Sequence, residues 1–357
     1  MSVAVPIQRA QIIGTGLIGG SIGLGLRQRG WRVTGTDALP ARAARALELG
    51  VVDEVGIDPD AQITFVATPA SHVVAEARLA LRRGGVVTDV AGVKTAITSE
   101  LDHPRFVAGH PMAGSEQEGV DGADGELFDG ATWVLTPGEH TDAEAYALVQ
   151  AVIGLLGANV IAVAPSRHDA LVALVSHVPH LTAATLMNLA ADAALEDQTL
   201  LRLAAGGFRD MTRIAAGHPG IWPDVCVDNR AAILSVLDAL TGALTEIRRV
   251  VADGDRPGLI SWLERAREER INLPVGAPPP GETAELRIPV PDRPGAIAEV
   301  TTTLAELGVN IFDIEIAHSA EGGRGVMVLA VDLPSAELAR KALADLGHRV
   351  SVRRIGE

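Results

Sequence analysis

Six residues, Gly14-Thr15-Gly16-Leu17-Ile18-Gly19, constrain this chain more than any others. They follow an apolar, strand-like segment, Ala10 to Ile13, and open a helix-like one that runs to about Arg29. In that setting glycines let backbone N–H groups approach a pyrophosphate at a helix N-terminus. Asp37 ends the next strand-like segment, where a carboxylate accepts hydrogen bonds from adenosine ribose hydroxyls and repels a 2′-phosphate. The expected ligand is NAD rather than NADP, with Arg42 as a nearby cation able to take that phosphate. The expected cofactor contacts are Gly14, Thr15, Gly16, Leu17, Ile18, Gly19, Asp37 and Thr68.

The chain around this fingerprint keeps the same rhythm. Strand-like segments near Ala10 to Ile13, Arg32 to Thr36, Ile63 to Ala67, Val86 to Asp89, Arg105 to Ala108 and Thr132 to Leu135 alternate with helix-like ones. That alternation predicts an α/β fold, a Rossmann-type doubly wound parallel sheet over residues 1–164. From Pro165 the strand pattern gives way to Ala/Leu-rich segments with helical spacing, such as Asp228 to Val251 and Leu259 to Arg270, which predicts an all-helical domain over 165–273. Residues 274–282, rich in Pro and Gly, read as a semi-rigid linker. Beyond it Leu286, Ile288 and Val290 alternate with Glu285, Arg287 and Pro289, and an amphipathic helix spans Ala296 to Leu307. Strands at Val309 to Ile316, Gly325 to Leu333 and Arg349 to Arg353, with a helix at Ser335 to Leu346, complete a βαββαβ ferredoxin-like unit over 283–357.

Composition narrows the possible partners. With 30 Lys plus Arg against 45 Asp plus Glu, a net charge of -15, the chain offers no electrostatic footprint for nucleic acid or an anionic membrane. Cys226 is the only cysteine, so an intrachain disulfide framework and a thiolate metal site are both excluded, and a reducing cytoplasm is the expected compartment. Met1 to Arg9 lacks the basic and apolar regions of a signal peptide. Two uncharged runs, Ala145 to Ser166 and Ala170 to Leu195, approach the length of a membrane span. The first breaks at Gly157-Ala158-Asn159, and the second carries Ser176, His177, Pro179, His180, Thr182, Thr185 and Asn188, so a buried core or a dimer interface is the expected setting.

Three clusters carry potential chemistry. His110 lies just past the strand-like Arg105 to Ala108, where open α/β sheets bind ligands, and a histidine there suits proton transfer near neutral pH. A loop histidine packed on Pro111 and Met112 is the alternative. Ser176-His177-Val178-Pro179-His180 places two histidines three apart on a helix that a proline bends, which fits a core kink as well as a site. Gly206-Gly207-Phe208-Arg209-Asp210-Met211-Thr212-Arg213 offers two guanidiniums beside flexible glycines, with Trp222 following, and arginine is the preferred planar clamp for carboxylates. Ion pairs with Asp210 or Asp224 compete with that role, and Arg213 is assigned to substrate with Arg209 left to structure.

These clusters, together with Ile12 to Ser21, Asp89-Val90-Ala91-Gly92-Val93-Lys94, Gly109 to Glu116 and Asp210 to Ala215, resemble the prephenate/arogenate dehydrogenase family of tyrosine biosynthesis in the family's order. The C-terminal segment resembles ACT modules through Asp292 to Ala298 and Leu307 to Ile311. The resemblance implies NAD-dependent oxidative decarboxylation of prephenate to 4-hydroxyphenylpyruvate, and the ACT-like module makes feedback by tyrosine the expected regulation, while the long apolar helices suggest a homodimer. It implies that His110 contacts the ring hydroxyl, that His180 and Trp222 hold the side-chain end, that Arg213 binds a carboxylate, and that Ser115 and Glu116 line the pocket. One departure stands out: Gly92 occupies the place of a serine that in the family helps bind the ring hydroxyl. Arogenate, or a 4-amino analogue, is the alternative substrate. A β-hydroxyacid dehydrogenase would rely on a lysine in the helical region, yet none occurs between Lys94 and Lys341. A catalytically silent NAD-binding protein that senses amino acids through the ACT-like module is the alternative of a different kind.

Overall fold

The computed structural model describes residues 8–354 apart from 116, 118, 196, 198, 218, 272–282, 292 and 319–323, so the expected linker lies outside the described residues. Packing divides the chain into two units, Met1–Thr241 and Gly242–Glu357.

The first unit is built on eight strands: β1 (Arg9–Ile13), β2 (Arg32–Thr36), β3 (Glu54–Val55), β4 (Ile63–Val66), β5 (Val86–Asp89), β6 (Phe106–Pro111), β7 (Thr132–Thr136) and β8 (Asn159–Ala162). Their order is β3-β2-β1-β4-β5-β6-β7-β8. β4 reads Ile-Thr-Phe-Val and is buried along its whole length, as a strand must be when helices cover both sheet faces. Ile12, Ile22, Leu26, Phe65 and Trp133 form the centre of this core. The strand order reverses between β1 and β4, and the crevice at their carboxyl ends is where such sheets take ligands.

The sheet departs from the expected all-parallel arrangement at one junction. β1 to β6 are parallel, but β7 runs antiparallel to β6, with His110 opposite Val134 and Pro111 opposite Trp133. This pairing carries β6 on to Pro111, two residues beyond Gly109, so His110 sits on the strand itself rather than in a loop after it. A ladder position fixes its backbone more firmly than a loop would.

A helical region follows. Pro165–Val172, a π-helical turn at Ala173–His177 and Val178–Ala194 form one continuous helix of 30 residues, long and apolar enough to cross a membrane by length and composition. Its inward side is mixed, with His168, Asp169 and His177 buried beside Val172, Ala173 and Val178. Pro179 lacks the N–H that an unbroken α-helix would donate, and the backbone switches spacing just before it. The glycine-rich stretch before Arg213, read from sequence as flexible, is instead the short helix Gly206–Thr212 followed by a 3-10 turn at Arg213–Ala216.

The second unit holds β9 (Thr283–Pro291), β10 (Ile311–His318), β11 (Arg324–Asp332) and β12 (Ser351–Arg354), antiparallel in the order β10-β11-β9-β12. The helices Ala296–Glu306 and Leu333–Asp345 cover one face, where Val300, Leu304, Ala339 and Leu343 meet Leu286, Ile288 and Val290. Asp332 caps the second helix by accepting from Ser335 N at 3.1 Å. This is the βαββαβ unit expected from the alternation along β9.

Candidate active site

The glycine fingerprint forms the floor of the crevice. Gly14 has φ +93°, and a β-carbon there would lie 2.4 Å from the Ala67 carbonyl oxygen. At Gly19 a β-carbon would meet the Gly14 oxygen at 2.0 Å, so the turn and the helix Leu17–Gln28 approach this closely only because both residues are glycine. Space over Gly16 is open, and no side chain among the described residues caps the N-terminus of that helix. Its N–H groups are therefore available to an anionic bridge. Asp37 is nearly buried and is aimed by backbone donors, with Oδ2 accepting from Thr15 N at 2.9 Å and Oδ1 from Leu39 N at 2.9 Å. Arg42 stands 3.8 Å from it. Thr68 Oγ1, just past β4, is buried without a hydrogen-bond partner among the described residues. An unsatisfied hydroxyl beside an open glycine turn and a poised carboxylate fits a dinucleotide.

His110 begins a second constellation. Its Nδ1 lies 2.9 Å from His168 Nε2, and His168 Nδ1 lies 2.8 Å from Asp169 Oδ1. The Asp169 carboxylate also accepts from Lys94 N and Thr95 N, each at 2.8 Å. With both imidazoles neutral, these contacts settle the tautomers. A carboxylate can only accept, so His168 carries its proton on Nδ1 and offers Nε2 as an acceptor. His110 must then donate from Nδ1, which leaves the lone pair on its Nε2. That nitrogen faces Gly92, where an added β-carbon would be 3.7 Å from it and would meet nothing but the His110 ring within 4 Å.

Electrostatics keep this imidazole neutral. Burial is the largest cause holding the His110 pKa well below the ordinary value, followed by Lys94, His168 and His177, with Asp169 opposing. Lys94 is itself fully buried, ion-paired to Asp89 and donating to the Gly109 carbonyl at 2.7 Å. Asp89 Oδ1 in turn accepts from Gly109 N at 3.1 Å. The ion pair thus clamps the end of β5 to β6 beside the histidine. Burial lowers the Lys94 pKa, while Asp89 and Asp169 raise it.

At the other end His180 stacks on Trp222, with ring centroids 3.7 Å apart and planes at 14°. His177 meets the edge of the same indole at 6.2 Å and 86°. The turn that begins at Arg213 closes over this pair, since a β-carbon at Gly217 would be 3.8 Å from His180 Cε1. Arg213 is exposed at the start of that turn. Ser115 is exposed in the loop after β6, where its Oγ accepts from Gln117 N at 3.1 Å. Glu116 lies outside the described residues. The packing alternative for His110 finds no support in Met112, which is 37% exposed while the His110 ring meets His168 edge to face.

His168, Asp169 and Asn229 escaped the sequence reading altogether. The only signal was a His-Asp pair in the first turns of the helix after β8, 58 residues from the histidine it supports.

Comparison with known proteins identifies the family. The family model for the prephenate dehydrogenase nucleotide-binding domain matches residues 22–162, that for the prephenate dehydrogenase dimerization domain 164–265, and that for the ACT domain 284–348. Prephenate dehydrogenase of Bacillus subtilis is 33% identical over 335 residues, covering 88% of this chain and 90% of the relative. Among solved structures, Aquifex aeolicus prephenate dehydrogenase in complex with hydroxyphenyl propionate and NAD+ aligns at a TM-score of 0.71 and 26% identity, over 76% of this chain and all of that one. Synechocystis arogenate dehydrogenase aligns at 0.64 and 32%, over 74% of this chain and 99% of that one. The chain belongs to the prephenate dehydrogenase family, as an NAD-dependent dehydrogenase with a C-terminal ACT domain.

Proposed function

We propose that this enzyme oxidatively decarboxylates prephenate to 4-hydroxyphenylpyruvate. The observation that carries the reading is the lone pair on His110 Nε2, fixed from behind by His168 and Asp169 and open on the side of Gly92. Bound NAD+ supplies the two-electron acceptor, held by the glycine turn, the N-terminus of the Leu17–Gln28 helix, Asp37 and Thr68. His110 Nε2 takes the ring hydroxyl proton as hydrogen leaves ring C4 with its electron pair. The ring carboxylate then departs as CO2, its bonding pair completes the aromatic ring, and His110 returns the proton to the phenolate oxygen. No net proton is consumed, and aromatisation drives the step forward. General base catalysis and positioning each supply several kcal/mol of such a rate enhancement, roughly 10²–10⁴-fold for the base alone.

His180 and Trp222 hold the side-chain end of the substrate in this reading, Arg213 pairs with a carboxylate, and Ser115 and Glu116 line the pocket. Arogenate differs from prephenate only at that side-chain end, and the likeness to an arogenate dehydrogenase favours it as the second reading. The test is a side-by-side assay of prephenate, arogenate and the 4-amino analogue with NAD and NADP. The proposal requires prephenate with NAD to give the highest kcat/KM, and dominance of arogenate would replace it with the second reading.

The same reading makes the protein a cytoplasmic homodimer. Leu174, Val175 and Leu189 are exposed along the long apolar helix of the region matching the dimerization domain, as is Leu195 just past its end, and a second copy would cover them. Tyrosine acts as the effector through the ACT domain, where the helix Ala296–Glu306 starts after Gly295 and can receive a carboxylate. Tyrosine titration of the full chain against a chain ending at residue 272 tests this, and equal inhibition of both would exclude the ACT domain as sensor.

A further inference from the structure

Asn229 is buried where the helix Trp222–Asp228 passes into Arg230–Ala252. Its Nδ2 donates to the Asp169 carbonyl at 2.8 Å and stands 3.2 Å from His177 Nδ1. A carbonyl can only accept, so the amide nitrogen, not its oxygen, faces Asp169. The second amide hydrogen then points to His177 Nδ1, which must carry a lone pair, with the ring proton on Nε2. His177 is consistent with this neutral form, its pKa lowered to about 4 chiefly by burial. The Asp169 carbonyl already accepts from Ala173 N, so Asn229 satisfies its second lone pair.

The consequence is one connected path across the pocket. It runs from His110 through His168 to Asp169, across Asn229 to His177, and through the Trp222 indole to the His180 stack. With neutral imidazoles, the donors and acceptors along the hydrogen-bonded part form one consistent set. Asp169 and His177 lie on one helix, and Asn229, from the element after it, hydrogen-bonds to both, so each of its amide hydrogens serves a group of the site. Removing this amide alone would leave the buried His177 Nδ1 without its donor, at a cost of about 1–3 kcal/mol, so folded protein must be measured beside activity.

Resting on the reading of His110 as the proton acceptor, we propose that Asn229 is a positioning residue that sets the distance between the proton-accepting end of the pocket, His110, and the end that stacks on the substrate side chain, His180 and Trp222. A substrate held at one end is thereby presented to the base at the other. Displacement by about an ångström in such an arrangement costs on the order of 10²-fold in rate.

Asn229→Leu and Asn229→Asp in the full-length chain both lose the amide donors while keeping the size. Each is expected to lower kcat about tenfold and raise the substrate KM about fivefold, with the KM for NAD within about twofold. Placed in a His110→Asn background, Asn229→Leu is expected to cost little further kcat, because the base it positions is already gone. His177→Phe supplies an independent arm, removing the acceptor on the far side of Asn229: the proposal requires kcat to fall along with substrate affinity. Folded Asn229 variants with normal kcat and KM would overturn it. So would activity that falls only in proportion to folded protein, with KM and pH profile unchanged. A wild-type enzyme that forms no NADH from prephenate or arogenate would remove the underlying reading as well, an outcome distinct from an active enzyme indifferent to Asn229.

Discussion

His110 and His168 meet edge to face, Nδ1 to Nε2 at 2.9 Å, with ring centroids 5.1 Å apart. In the proposed function this contact would give the base, His110, a defined tautomer, because the next residue in line is the Asp169 carboxylate. Asp169→Asn would keep the shape and offer one acceptor oxygen where three donors now converge. We expect kcat to fall by about 10²-fold as the tautomer of His110 loses its anchor. Stability should drop by about 1–3 kcal/mol, read by urea unfolding, since one buried N–H is left unsatisfied.

The pH dependence follows from the direction of the histidine shifts. In the proposed function His110 acts while neutral, and its pKa lies well below the ordinary imidazole value. The acid limb of kcat/KM should therefore fall below the usual histidine range, leaving the profile flat through neutrality. Stability responds in the same direction. His177 takes up a proton near pH 6.5 when unfolded and at about 4 when folded, so acid favours the unfolded chain across that window. Stability is thus lost as pH falls from about 6.5 to about 4. Melting temperature against pH checks it, and His177→Gln should flatten the slope.

Gly92 tolerates a side chain. Its added β-carbon meets only the His110 ring, at 3.7 and 3.8 Å, which is ordinary contact, and its backbone is not in the left-handed region. Gly92→Ser should fold normally and place a hydroxyl beside the substrate's own. We expect kcat/KM for a ring-hydroxyl substrate to rise about three- to tenfold, the worth of one hydrogen bond, with no gain for Gly92→Ala. Equal behaviour of the two variants would show that the hydroxyl contact is unused.

Much of this was legible in the sequence, for local reasons. The glycine turn, Asp37 and the alternation along β9 are encoded within a few residues of one another, and each appears where periodicity places it. The antiparallel β6–β7 junction was not, because strand direction depends on the chain between Pro111 and Thr132, which has no helical period. His168 and Asp169 look from sequence like ordinary polar residues opening a helix. Their role comes from a long-range contact to β6, and nothing in the spacing of a single chain announces such a contact. The Pro179 bend was visible, but the π-turn that turns His177 toward Asn229 was not.

In the proposed site Asp37 and Arg42 would set the cofactor preference between them. The carboxylate accepts from Thr15 N and Leu39 N and holds Arg42 at 3.8 Å. In Asp37→Ser that guanidinium loses its partner beside the expected ribose position. The KM for NAD should rise about tenfold while NADP use improves, with kcat little changed. Initial rates with both cofactors measure the switch.

The most direct test is the kcat of His110→Asn with prephenate and saturating NAD, beside direct measurement of NAD binding. The account predicts that NAD binds as in the wild type while kcat falls about 10²-fold or more. An unchanged kcat in a folded, NAD-binding variant would contradict it.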